Sequence, residues 1–250
     1  MGDFAADLRG LHRPGNPVVL PNVWDATSAR LFVEAGFEAL ATSSGAVART
    51  LGFDDGEQTP VDEMFAAISR ITRSVSVPIT ADVERGYGLA PTQIVARLLD
   101  AGAAGCNLED SNPATGELVD TAEQAAWLGE VRAAAGDQLV VNARIDVHLR
   151  EFGEPAGRVD EAARRARAYL EAGADSVYPI TLRDEHDIEH FVHAVPGPVN
   201  ILYASGGPSL LRLAELGVAR VTFGSGLHRQ ATAAVKRLAE NLRADSHPYG

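Results

Sequence analysis

Three segments of the chain end in the same kind of chemistry: Ala81-Asp82-Val83-Glu84-Arg85-Gly86-Tyr87-Gly88, Asn107-Leu108-Glu109-Asp110 and Asn142-Ala143-Arg144-Ile145-Asp146. Each follows a short β-rich run, Val77-Pro78-Ile79-Thr80, Ala104-Gly105-Cys106 and Gln138-Leu139-Val140-Val141. Carboxylates at the ends of successive strands make a pocket suited to a hard cation, which takes oxygen ligands. The arginine among them suits an anionic ligand, because its planar fork matches a carboxylate. Alternate side chains share one face of a strand, so Asp82, Glu109 and Arg144 can point into one mouth together. Cys106 falls on the other face with Leu108, which makes it a buried spacer rather than a nucleophile.

For those ends to converge, the strands must lie parallel and side by side. A phrase that reads as helix end, glycine cap and strand start recurs at Glu34-Ala35-Gly36, Asp100-Ala101-Gly102, Glu171-Ala172-Gly173 and Glu215-Leu216-Gly217. Strand runs fall near 18–21, 38–43, 77–82, 104–109, 138–143, 174–179, 198–202 and 219–224, with helical runs at 61–73, 91–101, 121–135, 157–172 and 208–216. Pro91 and Pro208 suit first-turn positions. Eight strands alternating with helices predict an α/β fold, a (β/α)8 TIM-type barrel formed as one domain over residues 1–250. An open doubly wound sheet would carry a glycine fingerprint after its first strand, and none is present. In such a barrel the site lies at the C-terminal ends of the strands.

Composition narrows the chemistry. Hydrophobic residues make up 46% of the 250 and charged residues 22%, enough for a large core with an ordinary surface. A net charge of −12 offers no basic footprint, so neither nucleic acid nor an anionic membrane is expected as a partner. No apolar run approaches the ~20 residues that span a bilayer, and the acidic start Met1–Asp7 has no leader-like apolar core. A single cysteine rules out an internal disulfide and, with the rest, reads as a cytoplasmic protein. Lys236, in the last helical segment, is the only lysine among 22 basic residues, which all but excludes Schiff-base chemistry.

The motifs, taken in order, resemble the isocitrate lyase/phosphoenolpyruvate mutase superfamily from about Pro21 to Leu227. They are Asn22-Val23-Trp24-Asp25-Ala26-Thr27-Ser28-Ala29-Arg30, Thr42-Ser43-Ser44-Gly45-Ala46, Leu51-Gly52-Phe53-Asp54-Asp55-Gly56 and the three segments above. The resemblance implies an Mg²⁺-dependent enzyme (Mn²⁺ is an alternative ion) that makes or breaks a C–C or P–C bond beside a 2-oxo acid or its enolate. It implies that Asp82 holds the metal directly while Asp55, Glu84 and Glu109 reach it largely through water. It implies that a turn at Ser44-Gly45-Ala46 offers backbone N–H groups to the substrate carboxylate, that Arg144 pairs with the same anionic end, and that Asn200 lies near the substrate. Arg144, Glu109 and Asp55 form the implied catalytic set; Trp24 is carried with the substrate-binding residues, although a packing or lid role is the plainer reading of that side chain.

Arg144 has a structural alternative as the partner of Asp146, Glu84 as the partner of Arg85 or a helix end, and Asp55 as a helix cap. His148 and His228 follow the fifth and eighth strand ends and could reach the pocket, whereas His186, His190 and His193 share a helical run where exposure is the default. The family also implies a homo-oligomer, a tetramer that exchanges its last helix between subunits. Leu227, Ala231, Ala234, Val235, Leu238 and Leu242 form an apolar stripe there that something must cover. The tail at 244–250 reads as a frayed end.

One departure bears on the reaction. The lyases of this family carry a loop after the fourth strand with a Lys-Lys/Arg-Cys-Gly-His signature whose cysteine is the catalytic acid/base. Here Ser111–Asp120 contains no cysteine, lysine or histidine, and Glu84 stands where the family has an aspartate. Isocitrate and methylisocitrate cleavage are therefore not expected; the leading expectation is lyase or decarboxylase-like chemistry on a small carboxylate substrate, protonated by water, Glu117 or a rim histidine. The alternatives are a P–C bond mutase or hydrolase on a phosphonopyruvate-like compound, a phosphosugar barrel using Gly206-Gly207 and Gly224-Ser225-Gly226 as a phosphate site, and a non-catalytic metabolite-binding relative.

Overall fold

The structure, a computed structural model, describes residues 3–244, so most of the expected frayed end lies outside the described residues. A helix, α1 (Phe4–Leu11), precedes the first strand, which Pro21 divides into β1 (Val18–Leu20) and β2 (Asn22–Val23). Proline has no N–H to give to a ladder, so the pairing changes sheet at that residue. Then follow α2 (Ala26–Glu34), β3 (Leu40–Thr42), α3 (Ser44–Leu51), α4 (Val61–Thr72), β4 (Ile79–Asp82), α5 (Pro91–Asp100) and β5 (Gly105–Glu109). The second half comprises α6 (Thr121–Ala135), β6 (Val140–Ile145), α7 (Arg158–Glu171), β7 (Ser176–Pro179), α8 (Glu185–Ala194), β8 (Asn200–Leu202), α9 (Leu210–Glu215), β9 (Arg220–Thr222) and α10 (Gly226–Arg243).

Every strand pairing is parallel. One ladder runs β2-β3-β4-β5-β6-β7 and the other β1-β9-β8. The β1–β2 junction links them on one side and a parallel bridge between Val177 and Val199 on the other, so the circuit is that of a (β/α)8 barrel. Among the described residues no helix is long and apolar enough to cross a membrane.

The recurring glycine phrase works as expected: Gly36, Gly102, Gly173 and Gly217 all take positive φ, between 77° and 104°, immediately after a helix. Pro91 opens α5 as expected. Pro208 does not open a helix; Ser209 caps α9, its hydroxyl accepting from the Arg212 N–H at 3.2 Å. The expected turn at Ser44–Ala46 is instead the first turn of α3, because Ser43 supplies a side-chain N-cap to the Ala46 N–H.

Strand parity sorts the barrel as the sequence implies. Cys106 and Leu108 are buried in the apolar layer between sheet and helices. The inner face is polar: Asp82, Asn107, Asn142 and Ser176 are successive register partners in one row, and Glu109, Arg144 and Tyr178 form the next row toward the strand ends. Below the mouth, Asn142 Nδ2 donates to Asn107 Oδ1 (2.8 Å), Ser176 Oγ to Asn142 Oδ1 (2.7 Å) and Arg220 Nη2 to Asn107 Oδ1 (3.1 Å). Asn200 belongs to this buried floor, accepting from Thr222 Oγ1 at 3.2 Å.

Candidate active site

The site grows from the strand ends. Asp82 closes β4, its N–H tied to Thr42 Oγ1 of β3 at 2.9 Å. Its Oδ2 accepts from the Ser44 N–H (3.1 Å) and hydroxyl (3.0 Å), whereas Oδ1 is buried with no hydrogen-bond partner. Ser44 Oγ also lies 3.1 Å from Asp55 Oδ1, so one hydroxyl sits between two carboxylates. Gly45 is required beside it, since a Cβ there would stand 2.5 Å from Asp55 Oδ2.

Glu84 continues the β4 end in the left-handed region at φ 52°, which a non-glycine residue adopts only where its surroundings hold it. The restraint is a reciprocal latch. Glu84 Oε2 accepts from the Glu57 N–H at 2.7 Å and Oε1 from the Tyr87 hydroxyl at 2.8 Å. The Glu57 carboxylate in turn accepts from the N–H groups of Tyr87 (2.7 Å) and Arg85 (3.2 Å).

Glu109 and Arg144 meet across β5 and β6, with Arg144 Nη1 2.6 Å from Glu109 Oε2. Arg144 also forks onto Asp146, Nε to Oδ1 at 2.7 Å and Nη2 to Oδ2 at 3.1 Å. The structural pairing with Asp146 is therefore realised, and the guanidinium reaches the pocket already anchored. Asp146 is fixed from behind: its N–H donates to Asp110 Oδ1 (2.8 Å), and Asp110 Oδ2 accepts from Arg165 Nη1 (3.0 Å) and Tyr169 OH (2.8 Å).

Burial dominates the electrostatics. It raises the Asp82 carboxyl against the opposing pull of Arg144 and the Ser44 N–H. It raises Glu109 well above the carboxylate range, helped by Asp146, Asp82 and Glu84, with Arg144 opposing. Glu84 is pushed up to about 7, by burial first and then by the charges of Asp55 and Asp82. Burial also works against the Arg144 charge, but Asp146, Glu109 and Asp82 outweigh it and keep the guanidinium protonated.

The donor set fits Mg²⁺ in one particular way. Among the described residues, no three His, Cys, Asp or Glu side chains are spaced to grip an ion directly. Both oxygens of Glu84 are engaged and Glu109 is paired with Arg144. Asp82 Oδ1 is a buried oxygen without a partner, and Glu109 Oε2, although 2.6 Å from Arg144 Nη1, makes no hydrogen bond; this suits an ion held at Asp82 with the other carboxylates reaching it through water.

Ser44, Asp55, Glu84, Glu109 and Arg144 line one cavity of about 240 Å³, together with Gly56, Leu149 and Arg150. Asp82 sits behind Ser44. Four expected substrate contacts, Trp24, Gly45, Ala46 and Asn200, lie outside that lining. Trp24 packs edge-on against His228 of α10, ring centroids 5.0 Å apart. The Ala46 N–H turns back to Ser43, its carbonyl at 3.1 Å. Asn200 is in the floor because it begins β8 rather than ending it. His148 does not line the cavity either; the charged groups that act on it are Asp187 and Arg158. Cys106 is buried, its thiol pushed up to about 12 by desolvation, and is no nucleophile. Glu57 and Arg150 were not singled out by sequence reasoning; the only trace of them is an acid following Asp54-Asp55-Gly56 and an arginine one helical turn after Asp146.

The family model described as phosphoenolpyruvate phosphomutase matches residues 8–243. The chain is 30% identical to a phosphoenolpyruvate phosphomutase of Streptomyces hygroscopicus, covering 96% of this chain and 80% of that one. It is 30% identical to oxaloacetate decarboxylase 2 of Pseudomonas fluorescens over 92% of this chain and 80% of that one. The solved structure of a putative phosphonomutase from Burkholderia cenocepacia superposes with a TM-score of 0.91 at 42% identity, covering 96% of this chain and 100% of that one. A match along nearly the whole chain, on a barrel whose strand ends gather these acids around one arginine, makes the protein a member of the isocitrate lyase/phosphoenolpyruvate mutase superfamily.

Proposed function

We propose that the protein is an Mg²⁺-dependent enzyme that cleaves a C–C bond beside the 2-oxo group of a small acid, with oxaloacetate-type decarboxylation or retro-aldol cleavage as the reaction. The observation that carries this reading is Asp82 Oδ1, a buried carboxylate oxygen without a partner beside raised acids and a protonated arginine. A divalent cation there supplies a Lewis acid for the 2-oxo group of the substrate. Arg144 receives the adjoining carboxylate: two of its five N–H groups donate to Asp146, and Nη1 lies 2.6 Å from Glu109 Oε2 without a hydrogen bond to it, so donors remain for a substrate anion. Asp146 and Glu109 orient that fork, so binding does not require it to reorganise. Ser44 holds Asp55 and Asp82 at a fixed spacing.

The cavity of about 240 Å³ lies below the ~300 Å³ at which drug-sized ligand sites begin, which favours an acid of a few carbons. No cysteine, lysine or histidine lines it, and Glu117 is exposed in a hairpin closed by Asn112, whose N–H donates to the Glu117 carbonyl at 2.8 Å. The enolate is then protonated by water, which suits a simple oxo acid better than stereospecific isocitrate cleavage. A second reading, P–C bond chemistry on a phosphonopyruvate-like compound at the same atoms, draws on the phosphomutase description of the family model and of the Streptomyces relative.

The test is a turnover screen of oxaloacetate, phosphonopyruvate, isocitrate and methylisocitrate, with Mg²⁺ and with EDTA. Oxaloacetate turnover that EDTA abolishes is expected. Phosphonopyruvate turnover in its place would transfer the assignment to P–C chemistry, and efficient methylisocitrate cleavage would contradict the account of the loop.

A further inference from the structure

The cavity holds a second guanidinium whose charge nothing nearby neutralises at close range. Arg150 lies in the loop after β6, its N–H bonded to the Asp146 carbonyl at 2.8 Å, and its side chain lines the same cavity as Arg144 and Glu109. Arg144 meets two carboxylates at 2.6 and 2.7 Å. The carboxylate partner of Arg150 is Asp146 at 3.9 Å, and Asp146 is already bonded to Arg144 and, at 2.6 Å, to Ser111 Oγ.

The Arg150 side chain is nonetheless held in place. Its Nε donates to Ser111 Oγ at 2.9 Å, and the backbone of the hairpin crosses it closely enough that a Cβ on Gly116 would sit 3.3 Å from Nη1. Nε is thus tethered while the Nη groups stay at the rim, with the side chain 35% exposed. The hairpin at 111–120 contributes no basic residue of its own, so Arg144 and Arg150 are the cations of this cavity. Both adjoin the same Asp146 carboxylate, so a short dianion can touch the two guanidinium groups at once.

We propose that Arg150 is a specificity-determining residue: it receives the second, distal anionic group of a 2-oxo acid whose first carboxylate lies at Arg144, and so selects dianions over monoanions. This rests on the function proposed above. A tethered guanidinium with a distant counter-charge gains more from an arriving anion than a saturated one does, because the new charged hydrogen bonds replace water rather than an existing partner.

The experiment compares the affinities of pyruvate and 3,3-difluorooxaloacetate, a dianion that cannot enolise at C3, for the Mg²⁺-loaded wild type, Arg150→Gln and Arg150→Lys by calorimetry. The wild type should prefer the dianion. Arg150→Gln should lower the ratio of the two affinities by about tenfold or more, the loss expected for one charged hydrogen bond. Arg150→Lys should recover part of it, restoring the charge without the fork. The ratio is the readout because a partly misfolded preparation lowers both affinities together. Equal losses for both ligands, or a ratio indifferent to Arg150, would overturn this proposal alone. A wild type that binds neither ligand with Mg²⁺ would overturn the proposed function and this proposal with it.

Discussion

Glu109 and Arg144 are register partners on neighbouring parallel strands, and their side chains meet at 2.6 Å inside the barrel mouth. Strand pairing, not loop conformation, therefore sets where the arginine charge sits. The fork onto Asp146 then fixes its rotation. Arg144→Lys keeps the charge but can satisfy only part of this geometry. It should weaken oxalate binding in the presence of Mg²⁺ by ~1.5–3 kcal/mol, the value of a charged hydrogen bond. Equal calorimetric affinities for the two proteins would remove Arg144 from the substrate site.

Glu84 predicts a pH dependence. Its folded pKa, about 7, exceeds the ordinary 4.5, so the native state holds its proton where the unfolded chain has lost it. The ionised group therefore destabilises the metal-free protein increasingly as pH rises from about 4.5 to about 7. Buried His12, lowered to about 4, acts in the opposite sense between about 4 and 6.5, and the raised Asp82, Glu109, Asp110 and Glu57 act in the same sense as Glu84, so the raw stability curve mixes all of them. The difference between Glu84→Gln and the wild type isolates the carboxyl. The variant should gain relative stability from pH 5 to pH 8, by up to ~3 kcal/mol if the whole shift is expressed. Denaturant melts at both pH values measure it, and a difference that does not change with pH would contradict the raised carboxyl.

Gly45 tests the spacing of the acids. Alanine there would place a Cβ 2.5 Å from Asp55 Oδ2 and 2.8 Å from its Cγ, forcing that carboxylate away from Ser44. Gly45→Ala should lower kcat/KM for the best 2-oxo acid by about tenfold or more, on the scale of a displaced active-site group. Its melting temperature should fall by only a few degrees, the shift expected for about 1 kcal/mol. Unimpaired turnover would mean that Asp55 has no fixed role.

How much of this was legible in sequence follows from how local each cause is. The strands, the glycine caps and the inward and outward parity of Glu109 and Cys106 depend on spacing along the chain, and all were readable. Ser44–Ala46 read as a turn because a serine pair and a glycine suit one; the cap from Ser43 makes the same residues a helix start. Asn200 sits below the mouth because its strand begins at that residue, a matter of register that periodicity does not reveal. Glu57 and Arg150 enter the site only by reaching across loops, to the Tyr87 N–H and to Ser111, and nothing in local patterning marks such contacts.

The last helix bears on assembly. In α10, Leu227, Ala231 and Ala234 are half-buried, whereas Val235, Leu238 and Leu242 remain 65%, 45% and 59% exposed. Packing on its own barrel thus accounts for the first part of the stripe and leaves the second exposed among the described residues. The expected outcome is a tetramer by light scattering at micromolar concentration, dissociated or weakened by Leu238→Glu with Leu242→Glu. A monomeric mass for the unaltered chain would contradict it.

The proposed reaction depends on an enolate generated in this barrel mouth with the help of a cation at Asp82. Solvent-deuterium exchange at C3 of pyruvate, followed by NMR, reports enolate formation without depending on which bond the enzyme normally breaks. Mg²⁺-dependent exchange well above the metal-only control is expected for the wild type, and none above that control for Asp82→Ala. Exchange no faster than the metal alone, together with robust isocitrate cleavage, would contradict it.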